Sequence, residues 1–295
     1  MLHSIQKLFI SIGVLSLFIE TVIAQTTTDF LTVEVQLQLN FEEKAISGDL
    51  IYSFKVNQPT DSVFLDAHQM TISKQPETSG IAVKARKEKI VIYGSFMPDS
   101  IYSVDFSYQA TPKQTLYFFE DQIWTQGQGK YTSHWLPSID DVNDKIIFNI
   151  SVTVPKGVIA LANGKLQTVT NKAGNSTWQY AMEKPMSSYL AALAVGPFEK
   201  ETIYAASGIP IENYYLEADL DKVEPTYRYT KQIFDFFEDE IGVPYPWEVY
   251  KQVPVRDFLY AGMENTTLTV FSNNFMTDTI GFLDKNYVNV NAHEL

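Results

Sequence analysis

The sequence has no cysteine, so no disulfide framework can exist, and by itself this suggests a reducing compartment. Basic charge is also scarce. Lys and Arg number 22 against 35 Asp and Glu, giving a net charge of -13, and no Lys/Arg cluster occurs. Such a surface repels nucleic acid and anionic lipid, so nucleic-acid binding is excluded as a function. Long apolar runs are nearly absent. The one candidate, Leu8–Ile19, follows Lys7 and is interrupted by Glu20. It is too short for a comfortable membrane span. With Val22-Ile23-Ala24 behind it, the segment reads as a secretory signal peptide, residues 1–24, cleaved after Ala24. No Cys follows, so lipoprotein anchoring is excluded. The expectation is an exported protein, periplasmic or secreted, with no stable membrane insertion after cleavage. A cysteine-free exported chain fits a bacterial source best.

Apolar residues make up 45%, enough for a sizeable core, and Tyr and Phe supply 17 and 19 residues. In "FLTVEVQLQLNF", Leu31, Val33, Val35, Leu37 and Leu39 alternate with polar residues, the period of a strand with one buried face. "ISGDLIYSFKV", "KIVIYG", "DSIYSVDFSYQA" and "KIIFNISVTV" continue the pattern, punctuated by Gly, Pro, Asn and Asp. These runs predict an antiparallel β-sandwich with no helix before about Lys200. The character then changes. "DKVEPTYRYTKQIFDFFEDEIGVPYPW" predicts a helix capped by Asp221 with Glu224 three residues on, and Pro225 in its first turn. Tyr229, Ile233, Phe236, Phe237 and Ile241 form a stripe expected to face the core, and Gly242 and Pro244 end the helix. If "NYVNVNAHEL" is helical, Val288, Ala292 and Leu295 share one face, and packing must hold its Asn-rich turn. Three Asn-x-Ser/Thr triplets begin at Asn149, Asn175 and Asn265.

Two short stretches carry chemistry. Alone, His293-Glu294 is nearly uninformative. It would gain meaning as the start of H-E-x-x-H, whose two His lie on one helix face to bind Zn²⁺ while the Glu activates its water. Ala261-Gly262-Met263-Glu264-Asn265 precedes an apolar strand. Gly262 can let the backbone come close to a ligand, and Glu264 would then present a carboxylate beside that backbone. A plain tight turn with a solvated Glu is the simpler reading of that stretch taken alone.

Together the two stretches resemble the M1 family of zinc aminopeptidases, whose signature is G-x-M-E-N followed some two to three dozen residues later by H-E-x-x-H. Glu264 and His293 stand 29 positions apart. "WTQGQGK" resembles the family's T-Q-x-[QE] loop, "LANGKL" its A-x-S-N-G stretch, and "PMSSYLAALAVGPFE" a further family run, so the resemblance covers almost the whole chain after the signal. Ala261 replaces the first Gly, and Val142 or Asn143 stands where a Pro is usual. The resemblance implies a mainly β chain: a saddle-like antiparallel β-sandwich over 25–215, then the incomplete start of a thermolysin-like α/β catalytic domain over 216–295. It implies hydrolysis of peptides with a free N-terminus. Glu264 and Gln128 would bind the substrate α-amine, and Gln126 would border the pocket for the first side chain. Ala261, Gly262, Met263 and Asn265 would wall the site. His293 would be the first Zn²⁺ ligand and Glu294 the general base. The second His, a ligand Glu and an oxyanion-stabilising Tyr are expected beyond Leu295, so these residues are expected to be a partial sequence, inactive alone and not holding zinc stably. The alternative is a non-catalytic β-sandwich binding or structural module.

Overall fold

The computed structural model describes residues 27–295. The expected signal peptide, residues 1–24, lies outside the described residues. The chain is mainly β, as the alternating runs require. Strand Thr28–Asn40 buries Phe30, Val33, Val35 and Leu37 and turns Glu34, Gln36 and Gln38 to solvent. A bulge between Phe30 and Thr32 shifts the phase, so Phe30 rather than Leu31 enters the core.

The largest sheet runs in the order Lys165–Lys172, Asn175–Ala181, Lys145–Pro155, Thr28–Asn40, Ala45–Val56, Ser100–Ala110, Thr71–Lys74. Its pairs are antiparallel with one exception: Thr28–Asn40 and Lys145–Pro155 run parallel, from Thr32 opposite Ile147 to Gln38 opposite Thr153. Lys145–Pro155 enters after the long excursion 111–144 rather than from a hairpin, which is what permits a parallel neighbour. A three-stranded sheet (Thr60–Asp66, Lys89–Phe96, Ala82–Ala85) and a four-stranded one (Ile159–Ala162, Leu193–Gly196, Gln122–Thr125, Leu116–Phe119) share one buried core with it. Trp135 is sunk in that core. The Tyr108 hydroxyl donates to the Trp135 carbonyl at 2.7 Å, and the Tyr52 hydroxyl donates to that of Pro137. These bonds fix the segment that follows the Gln126–Gly129 loop.

The last sheet is ordered Phe198–Tyr204, Pro210–Leu216, Tyr250–Val255, Leu268–Ser272, Gly262–Met263. Its three central strands are parallel and its two edges antiparallel. Parallel neighbours need a crossover, and helices Val223–Tyr227 and Thr230–Ile241 lie in the connection between Leu216 and Tyr250. Here the sequence expectation needs correction. Asp221 falls inside a 3-10 turn, Glu217–Lys222, and neither helix has a side-chain cap. The chain breaks at Arg228–Tyr229 and rotates the second helix. Thr230 and Phe234 face inward, while Tyr229, Phe236 and Ile241 are exposed. Phe234 packs on Tyr245 and Tyr250, with centroids 5.0 and 5.8 Å away. Gly242 does end the helix, in the left-handed conformation.

"NYVNVNAHEL" is helical over Val288–Glu294, but Tyr287 and Asn291, one turn apart, anchor it. Val288, Ala292 and Leu295 are only half-buried. Tyr287 stacks on Phe271 at 4.1 Å. Asn291 Nδ2 donates to Gln252 Oε1 (2.7 Å), Gln252 Nε2 to Asn213 Oδ1 (2.9 Å), and Asn213 Nδ2 to Glu201 Oε1 (3.0 Å). This buried amide ladder crosses three strands and pins the helix. Asn291→Leu leaves Gln252 Oε1 without a donor and should cost about 1–3 kcal/mol of stability. Urea titration monitored by near-UV circular dichroism measures it, and a loss within error would mean the ladder is not the anchor.

Candidate active site

The site assembles at the edge of the last sheet. Gly262 and Met263 pair with Phe271 and Val270. Met263 and Asn265 are buried and hold the chain on either side of Glu264, which is exposed to solvent just beyond the strand. Ala261 keeps an ordinary backbone conformation, and its carbonyl accepts from Ser272 N at 2.9 Å. The methyl in place of the family's usual glycine is therefore accommodated without strain.

The terminal helix lays Glu294 across Gly262. A Cβ built on Gly262 would lie 2.7 Å from Glu294 Cγ and Oε1 and 2.8 Å from Cδ. Only glycine allows this contact. Burial raises the Glu294 pKa, the neighbouring His293 opposes that rise, and the charge of Glu264 adds to it. The two carboxylates thus feel each other although they come from separate elements. His293 is exposed.

The loop after strand Gln122–Thr125 joins the same neighbourhood through Tyr189–Leu190. Gln126 is buried, its backbone N–H bonded to Thr115 O at 2.8 Å, and its side-chain Nε2 has no partner. Gln128 is exposed. A Cβ on Gly127 would stand 2.9 Å from Thr132 Oγ1 and 3.0 Å from the Tyr189 carbonyl, so the loop rests directly on the Tyr189 backbone. Tyr189 also borders Glu264: burial and then the Glu264 charge raise its pKa. Asn265 Nδ2 donates to the next carbonyl, Leu190 O, at 3.3 Å. Gln126–Gly129, Tyr189–Leu190, Glu264–Asn265 and Glu294 therefore form one neighbourhood. The sequence singled out all of these except Tyr189–Leu190, which stood out only as part of a family run. Asn265 is committed to Leu190, so its glycosylation triplet is not open in the folded chain.

Zinc coordination by nitrogen and oxygen donors needs about three protein ligands in a catalytic site. Among the described residues no three His, Cys, Asp or Glu side chains converge as metal donors. His293 offers one imidazole of the right kind, and Glu294 is turned onto Gly262. These residues fit the first ligand and the base of a zinc site but do not complete one. His68 and His134 stack on each other with centroids 4.2 Å apart, and belong to no such donor group.

Comparison with known proteins bears on the same residues. The family model described as Peptidase M1 N-terminal domain matches residues 31–190, and that described as Peptidase family M1 domain matches residues 226–295. The chain is 27% identical to glutamyl aminopeptidase of Rattus norvegicus, over 89% of this chain and 31% of that protein. It is 28% identical to leucine aminopeptidase 2 of Emericella nidulans, over 88% of this chain and 44% of that protein. It spans less than half the length of either relative. Among solved structures, an M1 zinc metallopeptidase variant from Deinococcus radiodurans, bound to a Tyr-Ser-Ala substrate, superposes with a TM-score of 0.75. Identity is 22%, over 85% of this chain and 61% of that one, a likeness of fold.

Proposed function

Because the chain belongs to peptidase family M1, we propose that the whole protein is a zinc-dependent aminopeptidase that removes N-terminal residues from peptides. The observation that carries this reading is the packing of Glu294 over Gly262, beside the outward Glu264. An aminopeptidase needs one carboxylate for the substrate ammonium and another for the attacking water, close together but not interchangeable. In this reading Glu264 binds the free α-amine with Gln128, and Gln126 borders the first side-chain pocket. Ala261, Gly262, Met263 and Asn265 form the wall along the peptide. His293 is the first zinc ligand. When bound, the metal would supply a nucleophilic water at neutral pH. Glu294, half-buried and turned onto Gly262, would be the residue that accepts a proton there. Residues 25–215 act as the β part and 216–295 as the start of the catalytic part, joined through the sheet that carries strands of both. Export is proposed on the signal-like N-terminus. Among the described residues no helix is long and apolar enough to cross a membrane.

The test uses the whole protein with zinc and an aminoacyl chromogenic substrate. Chelator-sensitive turnover is expected, with none for the N-acetylated substrate. Glu264→Gln exchanges a charged acceptor for a neutral one and should lower kcat/KM by about ten- to a hundredfold, the value of a charge-assisted hydrogen bond. Equal turnover of free and acetylated substrates would sink the amine-binding role.

A further inference from the structure

We propose that Asn163 is a positioning residue for substrate recognition: it fixes the Glu264 turn against the Gln126–Gly129 loop and so sets the preference for a free α-amine. This rests on the aminopeptidase reading above. Asn163 is fully buried. Its Nδ2 donates to Leu190 O at 2.9 Å and to Thr266 O at 2.6 Å, and its Oδ1 accepts from Ala192 N at 2.7 Å. One carboxamide thus ties a loop of the β part to the residue two beyond Glu264.

The same Ser188–Ala192 segment holds the other wall. Ser188 O accepts from Thr132 Oγ1 at 2.8 Å, and Gly127 rests on Tyr189 O. Leu190 O receives both Asn163 and Asn265, using both of its lone pairs. A continuous set of contacts therefore runs from the Gln126 loop, which packs on Thr132 and Tyr189, through the hydrogen bonds of Ser188–Ala192 and Asn163 to Thr266 and the Glu264 turn. The turn bearing Asn163 cannot shift to relax it. Gly164 has φ +85°, and a Cβ there would lie 2.2 Å from Ala181 O. Gly164 N donates to Thr267 Oγ1 at 2.6 Å, and its carbonyl accepts from Lys251 Nζ. Asparagine alone offers two N–H donors and an acceptor on so short a stem. Aspartate loses both donors and adds an unpaired charge, and leucine loses all three bonds.

The experiment measures competitive inhibition of the whole protein by leucinamide and by N-acetyl-leucinamide, for wild type, Asn163→Asp and Thr132→Val. Thr132→Val removes the bond to Ser188 O without touching Asn163 and keeps the shape, so it decides the matter if Asn163→Asp does not fold. Each variant is expected to lower the ratio of the two inhibition constants about tenfold, the value of one charge-assisted contact misplaced. A wild-type ratio retained in the variants while the melting temperature falls would overturn the proposal and leave a purely structural role. A wild type that does not distinguish the two amides would overturn the amine-binding role of Glu264 itself, and this inference with it.

Discussion

Gly262→Ala is expected to leave the chain folded and to lower turnover by the whole protein by about a hundredfold or more. The added Cβ would meet three atoms of Glu294, all within 2.8 Å. The backbone of Gly262 cannot retreat, because it is paired with the fully buried Phe271. The Glu294 side chain is the mobile partner and must swing away. The structural cost is then small, since a flexible side chain gives way rather than the sheet. The catalytic cost is large, because a general base displaced by about 1 Å can lose about two orders of magnitude. Two measurements separate these effects. Thermal unfolding of Gly262→Ala should stay close to wild type, and its small deficit should disappear in a Glu294→Ala background, where nothing opposes the methyl. Turnover of an aminoacyl substrate should fall with kcat carrying most of the loss. Unchanged kcat would remove Glu294 from the base role.

That contact was half legible in the sequence. "GMEN" marked Gly262 as a place where the backbone comes close to a ligand, but what lies against it in the fold is Glu294, which only the folded terminal helix supplies. The strands were legible because a half-buried sheet enforces a period of two, and that survives in Val33, Val35 and Leu37. The helical stripe was misread at Tyr229, Phe236 and Ile241. A break at Arg228–Tyr229 resets the phase, and no Pro or Gly sits there to announce it. The terminal helix was anticipated with the wrong anchors. Its buried residues are an aromatic and an amide, Tyr287 and Asn291, satisfied by partners far away in sequence. The same holds for Asn163 and for the Asn213–Gln252–Asn291 ladder. Long-range hydrogen bonds leave no periodicity, so polar residues that hold the site together look like ordinary loop or strand residues.

Lys251 is the extreme case, and it leads to the other large expected effect: Lys251→Met should remove a marked pH dependence of stability. In "YKQVPV" the lysine resembles an exposed strand position, yet it is 1% exposed. Its Nζ donates to Gly164 O and lies 5.0 Å from the Tyr180 ring centroid, and no carboxylate forms a salt bridge with it among the described residues. Glu212, the nearest acidic influence, is already paired with Lys200 and accepts from the Tyr214 hydroxyl. Burial pushes the Lys251 pKa down from an ordinary 10.5 to about 7, with Glu212 opposing and Lys200 adding to the fall. Between about pH 7 and 10.5 the unfolded chain then binds the proton more tightly than the folded one. Stability must therefore rise with pH across that window, by about 1.4 kcal/mol per unit at most, and level off on both sides. Methionine keeps the buried stem and removes the charge, but it leaves Gly164 O without this donor, a cost of about 1–3 kcal/mol. The two effects have different pH dependence. Below pH 7 the desolvated ammonium costs more, and Lys251→Met should be the more stable protein. Near pH 10 the lysine is neutral and still donates, and wild type should be the more stable one. Urea midpoints for both proteins from pH 6 to 10 should cross. Parallel curves would mean that the ammonium is solvated or paired in the folded state.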